Sequence, residues 1–147
     1  MSHAAGIHIA LSTRVKNTVE LLELWLNHGW SFNDHNHISY LPLGDKDEFN
    51  WQHAMLASWP SIAEILKKKD ESHELIGLVM TWKDTATGGE FLVFPDGQRL
   101  SVNWNVNRRT LKYCMNFTDH SWYISRILTP LLKECVEIES VQCYDAV

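Results

Sequence analysis

The chain has 147 residues, of which 45% are hydrophobic and 21% are charged, and its formal net charge is −5 at pH 7. This length suits a single domain, and this composition excludes disorder of the whole chain. The longest apolar runs are too short to span a bilayer, and no long apolar stretch of secretory type opens the chain, so we expect neither a membrane segment nor a signal peptide.

The first thirty residues predict a short extended segment followed by a helix. Residues 1–12 alternate weakly around Ile7, Ile9 and Leu11, which predicts a flexible arm or an edge strand. Residues 17–28 then place apolar side chains three and four positions apart, as on one face of a helix. Asn17 or Thr18 is suited to cap the start of this helix, and Gly29 is suited to end it.

A short strand, a loop and a second helical stretch come next. Residues 37–41 read as a strand, and residues 43–50 form a loop that carries three acids. From Trp51 an apolar stripe of helical period begins, and it runs to Lys69. Pro60 removes a backbone donor, so we expect the helix to break at Ser58 and to restart there.

The centre of the chain reads as an antiparallel meander. Residues 74–82, 90–94 and 99–106 are three apolar or alternating segments. Pro95-Asp96-Gly97 between the last two is a strong turn signal. Residues 110–117 predict a fourth strand of the same kind.

A last helix and a last strand complete the pattern, over residues 120–134 and 136–144. Asp119 is suited to cap the helix, and Pro130 should bend it or end its regular bonding early. Helices and strands are partly segregated along the chain. We therefore expect an α+β fold, with a mainly antiparallel sheet of three to five strands packed against about three helices, in a single domain over residues 1–147.

Charge is distributed unevenly. Residues 18–48 hold six acids and one base, residues 134–147 hold four acids and no base, and residues 99–112 hold four bases and no acid. We expect the two acidic regions to meet in the fold. Acidic surfaces repel nucleic acid and steer cationic proteins, so we expect a basic protein partner and no binding of nucleic acid or membrane.

No catalytic motif stands out. The three cysteines show no metal-binding or redox spacing, which favours reduced thiols and a cytoplasmic protein. We therefore expect a protein that is not an enzyme and that uses no cofactor and no metal. Two alternatives stay open: a small metal-dependent hydrolase that uses His35, His37 or His120, and a small-ligand module that uses exposed tryptophans.

Several segments are similar to bacterial immunity proteins of contact-dependent growth inhibition systems. They are Tyr40-Leu41-Pro42-Leu43-Gly44-Asp45, Phe49-Asn50-Trp51-Gln52, the strand that ends at Trp82, Phe94-Pro95-Asp96-Gly97 and Val102-Asn103-Trp104-Asn105. The resemblance covers about half of the chain. It implies a cytoplasmic protein that binds and neutralises the C-terminal domain of a cognate toxin, most often a basic nuclease.

The resemblance carries no motif from which contact residues could be transferred, so the candidate site is chosen from the residues themselves. It consists of the loop acids with a neighbouring acid and an aromatic anchor: Asp34, Asp45, Asp47, Glu48 and Trp51. The acids would cover a cationic cleft, and Trp51 would supply apolar contact. The oligomeric state stays open.

Overall fold

A computed structural model describes residues 3–32 and 34–146. This part of the chain contains ten strands and three helices. In chain order they are β1 (Ala4–Leu11), α1 (Thr18–Leu26), β2 (Trp30–Ser31), β3 (His37–Tyr40), β4 (Gln52–Met55), α2 (Trp59–Glu71), β5 (Ile76–Trp82), β6 (Gly88–Val93), β7 (Arg99–Val106), β8 (Thr110–Leu111), β9 (Cys114–Thr118), α3 (His120–Lys133) and β10 (Ile138–Ala146).

The main sheet confirms the α+β class but is larger than predicted. It has eight antiparallel strands in the order β10-β1-β7-β6-β5-β3-β4, with β2 added against β5. The prediction of three to five strands was too small: the first, third and last strands join the same sheet as the meander, and the short strands β2 and β4 were not predicted. The predicted meander β5-β6-β7 is confirmed, and Phe91 lies between Leu78 and Val102. In the turn between β6 and β7, the Asp96 side chain accepts hydrogen bonds from the N–H groups of Gln98 and Arg99.

Strand β1 lies inside the sheet, between β10 and β7. Ile7, Ile9 and Leu11 are fully buried on one of its faces. The prediction of an arm or an edge strand is thus wrong for residues 4–11, while residues 1 and 2 lie outside the described part. The strand order instead ends at β10 on one side and at β4 on the other.

The helical stretch predicted from Trp51 begins eight residues later. Gln52–Met55 is strand β4, which pairs with β3, and a 3-10 turn at Leu56–Ser58 leads into α2. Pairing with β3 satisfies the backbone of this segment and overrides its helical spacing. The predicted helix start after Ser58 agrees with the structure, although no α-helix directly precedes Ser58 and its side chain makes no capping hydrogen bond. Pro60 lies in the first turn of α2, where its missing N–H costs little.

Three helices cover one face of the sheet. Two tryptophan N–H groups tie the α1 region to α3: Trp25 donates to the carbonyl of Ile127 at 3.0 Å, and Trp30 donates to that of Arg126 at 2.9 Å. Asn17 caps α1 as predicted, because its side chain accepts the N–H of Glu20. The helix α3 continues past Pro130 to Lys133.

The opposite face of the sheet carries a smaller apolar cluster. It contains Leu41, Leu75 and Leu92, with Trp51 and Phe94 packed against them. Because side chains alternate along a strand, Leu92 points away from the helices while its neighbours in β6 point toward them. This second cluster positions the loop between β3 and β4.

Residues 110–118 do not extend the meander. They fold back on themselves as the separate two-stranded sheet β8-β9. Among the described residues, no helix combines the length and the apolar character that a bilayer crossing requires.

Candidate partner-binding surface

The loop between β3 and β4, residues 42–50, is held in place by hydrogen bonds to two charged side chains, Lys69 and Glu74; we call it the acidic loop. Lys69 of α2 is fully buried, and its ammonium donates to the carbonyl of Pro42 at 2.7 Å. Glu74 accepts the N–H of Gly44 at 2.7 Å and lies 3.8 Å from the Lys69 ammonium. Burial lowers the pKa of Lys69, and the nearby carboxylates of Glu74, Asp45 and Asp47 offset only part of that effect.

Asp45 organises the acidic loop from inside. Its side chain is buried, and its two carboxylate oxygens accept the N–H groups of Phe49 and Asn50, each at 2.9 Å. Lys46, Asp47 and Phe49 adopt left-handed backbone conformations that non-glycine residues rarely occupy. The hydrogen bonds to Asp45 therefore hold a conformation that the intervening residues would not adopt unaided.

The outer side of the acidic loop combines charge with exposed apolar groups. Asp47 and Glu48 are exposed. Leu43 and Phe49, at 47% and 46% exposure, flank them along the chain, and Met55 in β4 is 68% exposed. Large apolar side chains left open to water beside acids are typical of a surface that binds a protein.

Asp34 is connected to the edge strand β4 by hydrogen bonds. The Ser39 hydroxyl donates to the Asp34 carboxylate at 2.8 Å and lies 2.8 Å from Nδ1 of His53. The hydroxyl has one proton, which it donates to Asp34, so its contact with His53 is a hydrogen bond that it accepts from Nδ1–H of the ring. The serine lies between the acid and the histidine, unlike the order of a nucleophilic triad, in which the histidine lies between them.

Trp51 anchors the acidic loop to the outer face of the sheet. It is half-buried, and its ring packs on the small cluster of leucines. A Cβ at Gly77 would lie 2.9 Å from the Trp51 ring and 2.7 Å from Leu41, so only glycine allows this close approach. The structure therefore gives Trp51 a packing role, with part of the ring left accessible.

A second acidic surface lies elsewhere on the molecule, in a groove of about 450 Å³ between the start of α1 and residues 134–137. Glu20, Glu134 and Glu137 line it, together with apolar side chains. The two acidic regions of the sequence, residues 18–48 and 134–147, thus meet in this groove, but the first region contributes only residues of α1. The acids of the acidic loop lie toward the β4 edge of the sheet, and residues 138–146 form the opposite edge.

Of the five predicted residues, the structure places four in or directly after the acidic loop and links the fifth, Asp34, to β4. The acidic groove was missed as a site, although its glutamates belong to the two acidic regions that the sequence indicates. The exposed apolar residues Leu43 and Phe49 were missed too, because composition does not separate exposed from buried apolar side chains.

The histidines and tryptophans of the alternatives are dispersed. His35 lies 2.9 Å from the Asp34 carboxylate, and Nε2 of His120 lies 3.6 Å from Asp145. No group of three or more potential metal ligands is found in the described ranges 3–32 and 34–146. All seven tryptophans are buried or half-buried.

No protein-family model, no curated protein and no solved structure matches this chain.

Proposed function

We propose that the protein is a cytoplasmic immunity protein that binds and neutralises a cationic toxin domain, of the nuclease kind, through the acidic loop. The observation that carries the proposal is the preformed acidic loop, which displays Asp47 and Glu48 between two exposed apolar side chains. The resemblance to immunity proteins of contact-dependent growth inhibition systems supplies the class of partner. The protein itself performs no chemistry in this account.

The rigidity of the acidic loop supports a role in binding. The side chains of Lys69, Glu74 and Asp45 form hydrogen bonds with four backbone atoms of the loop. A surface that is already ordered loses little conformational entropy when the partner docks, so more of the contact energy appears as affinity. The inward-facing Asp45 therefore acts by positioning, while Asp47 and Glu48 face the partner.

Charge and apolar contact serve different steps of binding. Exposed acids attract a cationic domain over about 10 Å at 0.1 M salt, which raises the association rate. Apolar side chains such as Leu43 and Phe49 gain energy only after water leaves the interface, which slows dissociation. The two contributions can be separated by experiment.

The first experiment removes the two exposed charges of the acidic loop. We expect Asp47→Asn with Glu48→Gln to slow association with the catalytically inactive toxin domain by about three- to tenfold at 20 mM salt, and by much less at 300 mM salt. The matched control is Glu134→Gln with Glu137→Gln, which removes the same charge from the acidic groove. Stopped-flow fluorescence measures both rates.

The control decides what the loop contributes. Equal slowing in the two double variants would mean that only the net charge of the protein matters. A larger effect of the groove variant would move the interface to the groove. Either result contradicts the assignment of the acidic loop.

The second experiment removes apolar contact without changing charge. We expect Leu43→Ser with Phe49→Asn to raise the dissociation rate by about tenfold or more, because both side chains would be desolvated in the complex. Asparagine tolerates the left-handed backbone at position 49, so the loop keeps its shape. Leu132→Ser, at an exposed position of α3, is the control. An unchanged dissociation rate in the loop variant contradicts the proposal.

A further inference from the structure

A cleft lined by basic side chains lies between the end of α1, the end of β5 and the second half of α3; we call it the basic pocket. Its volume is about 560 Å³. Four of its ten lining residues are His28, Lys83, Arg126 and Lys133, and none of the ten is acidic. Such a concentration of positive charge is unexpected in a chain with a net charge of −5.

The cations of the basic pocket are largely unpaired. Within residues 3–32 and 34–146, Lys83, Arg126 and Lys133 have no carboxylate within 4.0 Å. The His28 ring, which carries a charge only when it is protonated, lies 4.0 Å from Glu134, and Glu134 does not line the pocket. Cations on protein surfaces often remain solvated, but here they converge on one concave site with no counter-charge lining it.

Aromatic rings fix the positions of two of these cations. The Lys83 ammonium lies 5.5 Å and the Arg126 guanidinium 5.3 Å from the Trp82 ring. The guanidinium also lies 4.3 Å from Trp122 and donates to its backbone carbonyl at 2.8 Å. Gly29, which follows α1, closes one side of the site, and a Cβ at this position would lie 2.5 Å from the Trp82 ring. The pocket is therefore built on packed rings, and its cations are partly preoriented.

The charge on Arg126 is not neutralised by its surroundings. Burial, followed by the positive charge of Arg109, lowers the pKa of Arg126, and Asp119 offsets this only in part. Both guanidiniums pack on Trp122, with Arg109 at 5.0 Å. In addition, Nε of Arg126 is buried and has no hydrogen-bond partner among the described residues. An anion in the pocket would reduce the repulsion between these like charges.

We propose that the basic pocket binds the phosphate group of a small phosphorylated molecule. Phosphate carries about two negative charges near neutral pH, which suits several cations better than a single carboxylate does, and arginine with lysine is the usual combination that holds it. The volume lies within the range of small-molecule sites, about 300–1,000 Å³. This site is separate from the acidic loop, and it does not depend on the proposed function.

Isothermal titration calorimetry with pyrophosphate in 20 mM NaCl tests the proposal on the full chain. We expect saturable binding at one site per chain. Lys83→Gln with Lys133→Gln should weaken binding at least tenfold. Both lysines are exposed, so the variant should fold normally, and circular dichroism verifies this. The matched control is Lys67→Gln with Lys112→Gln, which removes two exposed lysines elsewhere and should change affinity less than twofold.

Three results overturn the proposal. They are the absence of saturable heat from the wild-type chain, an affinity of the pocket variant within twofold of wild type, and an equal loss of affinity in the control. Adenosine monophosphate as a second titrant distinguishes the source of the phosphate. Inorganic phosphate, titrated under the same conditions, is the reference. Tighter binding of adenosine monophosphate than of inorganic phosphate supports a phosphate ester, and binding that is no tighter is a fourth result that contradicts the proposal.

Discussion

Replacing Asp45 by asparagine tests the internal support of the acidic loop. The carboxylate accepts two backbone N–H groups, from Phe49 and Asn50, and lies near the buried ammonium of Lys69. Asparagine keeps one carbonyl acceptor, but it turns an amide NH₂ toward the other N–H and removes the charge. A hydrogen bond to a charged group contributes about 1.5–3 kcal/mol, so we expect a loss of about 2–3 kcal/mol in the free energy of unfolding.

Asp47→Asn is the control within the same loop. Asp47 is exposed, and a surface substitution of this kind changes stability by less than about 0.5 kcal/mol. Urea unfolding followed by circular dichroism measures both variants, and a melting temperature lower by roughly 4–12 °C is expected for Asp45→Asn alone. If Asp45→Asn and Asp47→Asn unfold at the same urea concentration, the carboxylate of Asp45 does not support the loop and the reasoning fails.

Two pH dependences follow from other buried charges. Because folding lowers the pKa of Lys69, the folded chain loses this proton at a lower pH than the unfolded chain, which loses it near pH 10.5. The stability of wild type relative to Lys69→Met should therefore rise as the pH approaches 10.5. Parallel pH profiles of the two proteins would contradict this. Partial burial works to raise the pKa of Asp145, but the Thr118 N–H and the His3 ring outweigh it and lower that pKa. The stabilisation by the ionised Asp145 carboxylate is therefore complete above pH 3.8 and is lost as the pH falls through the pKa of the folded state. Asp145→Asn should be less stable than wild type at pH 7, and the two stabilities should converge at lower pH. A difference that persists unchanged in strong acid would refute the role of the carboxylate.

Local signals in the sequence located most helices and the central strands. The alternation of Leu100, Val102 and Trp104 predicted β7 with its observed bounds. The Asn17 cap and the start of α2 after Ser58 were predicted because capping and proline act over a few residues only. These features need no knowledge of the rest of the chain.

Elements that depend on distant partners were missed. Residues 52–55 belong to a longer segment whose apolar residues have helical spacing, yet they form β4 because they pair with the free edge of β3. Strand β1 alternates weakly, yet it is an inner strand because it pairs on both sides with strands that come much later in the chain, β7 and β10. The number of strands was underestimated for the same reason.

The candidate site was predictable in composition but not in orientation. Acidic residues in a loop were evident, but nothing local distinguishes Asp45, which faces inward, from Asp47, which faces water. Lys69, whose buried charge interacts with Asp45, is 24 positions away in the sequence. The basic pocket draws its cations from positions between 28 and 133, so no local pattern indicates it.

The central claim is that this chain binds a cationic toxin domain, and one titration tests it most directly. The account predicts that the neighbouring reading frame encodes a toxin. The C-terminal domain of that protein, inactivated in its catalytic site, is titrated into the protein by calorimetry at low and at high salt. We predict a one-to-one complex whose affinity falls as salt rises, because opposite charges meet at the interface. Absence of a complex at micromolar concentrations, or an affinity that salt does not change, would contradict the account.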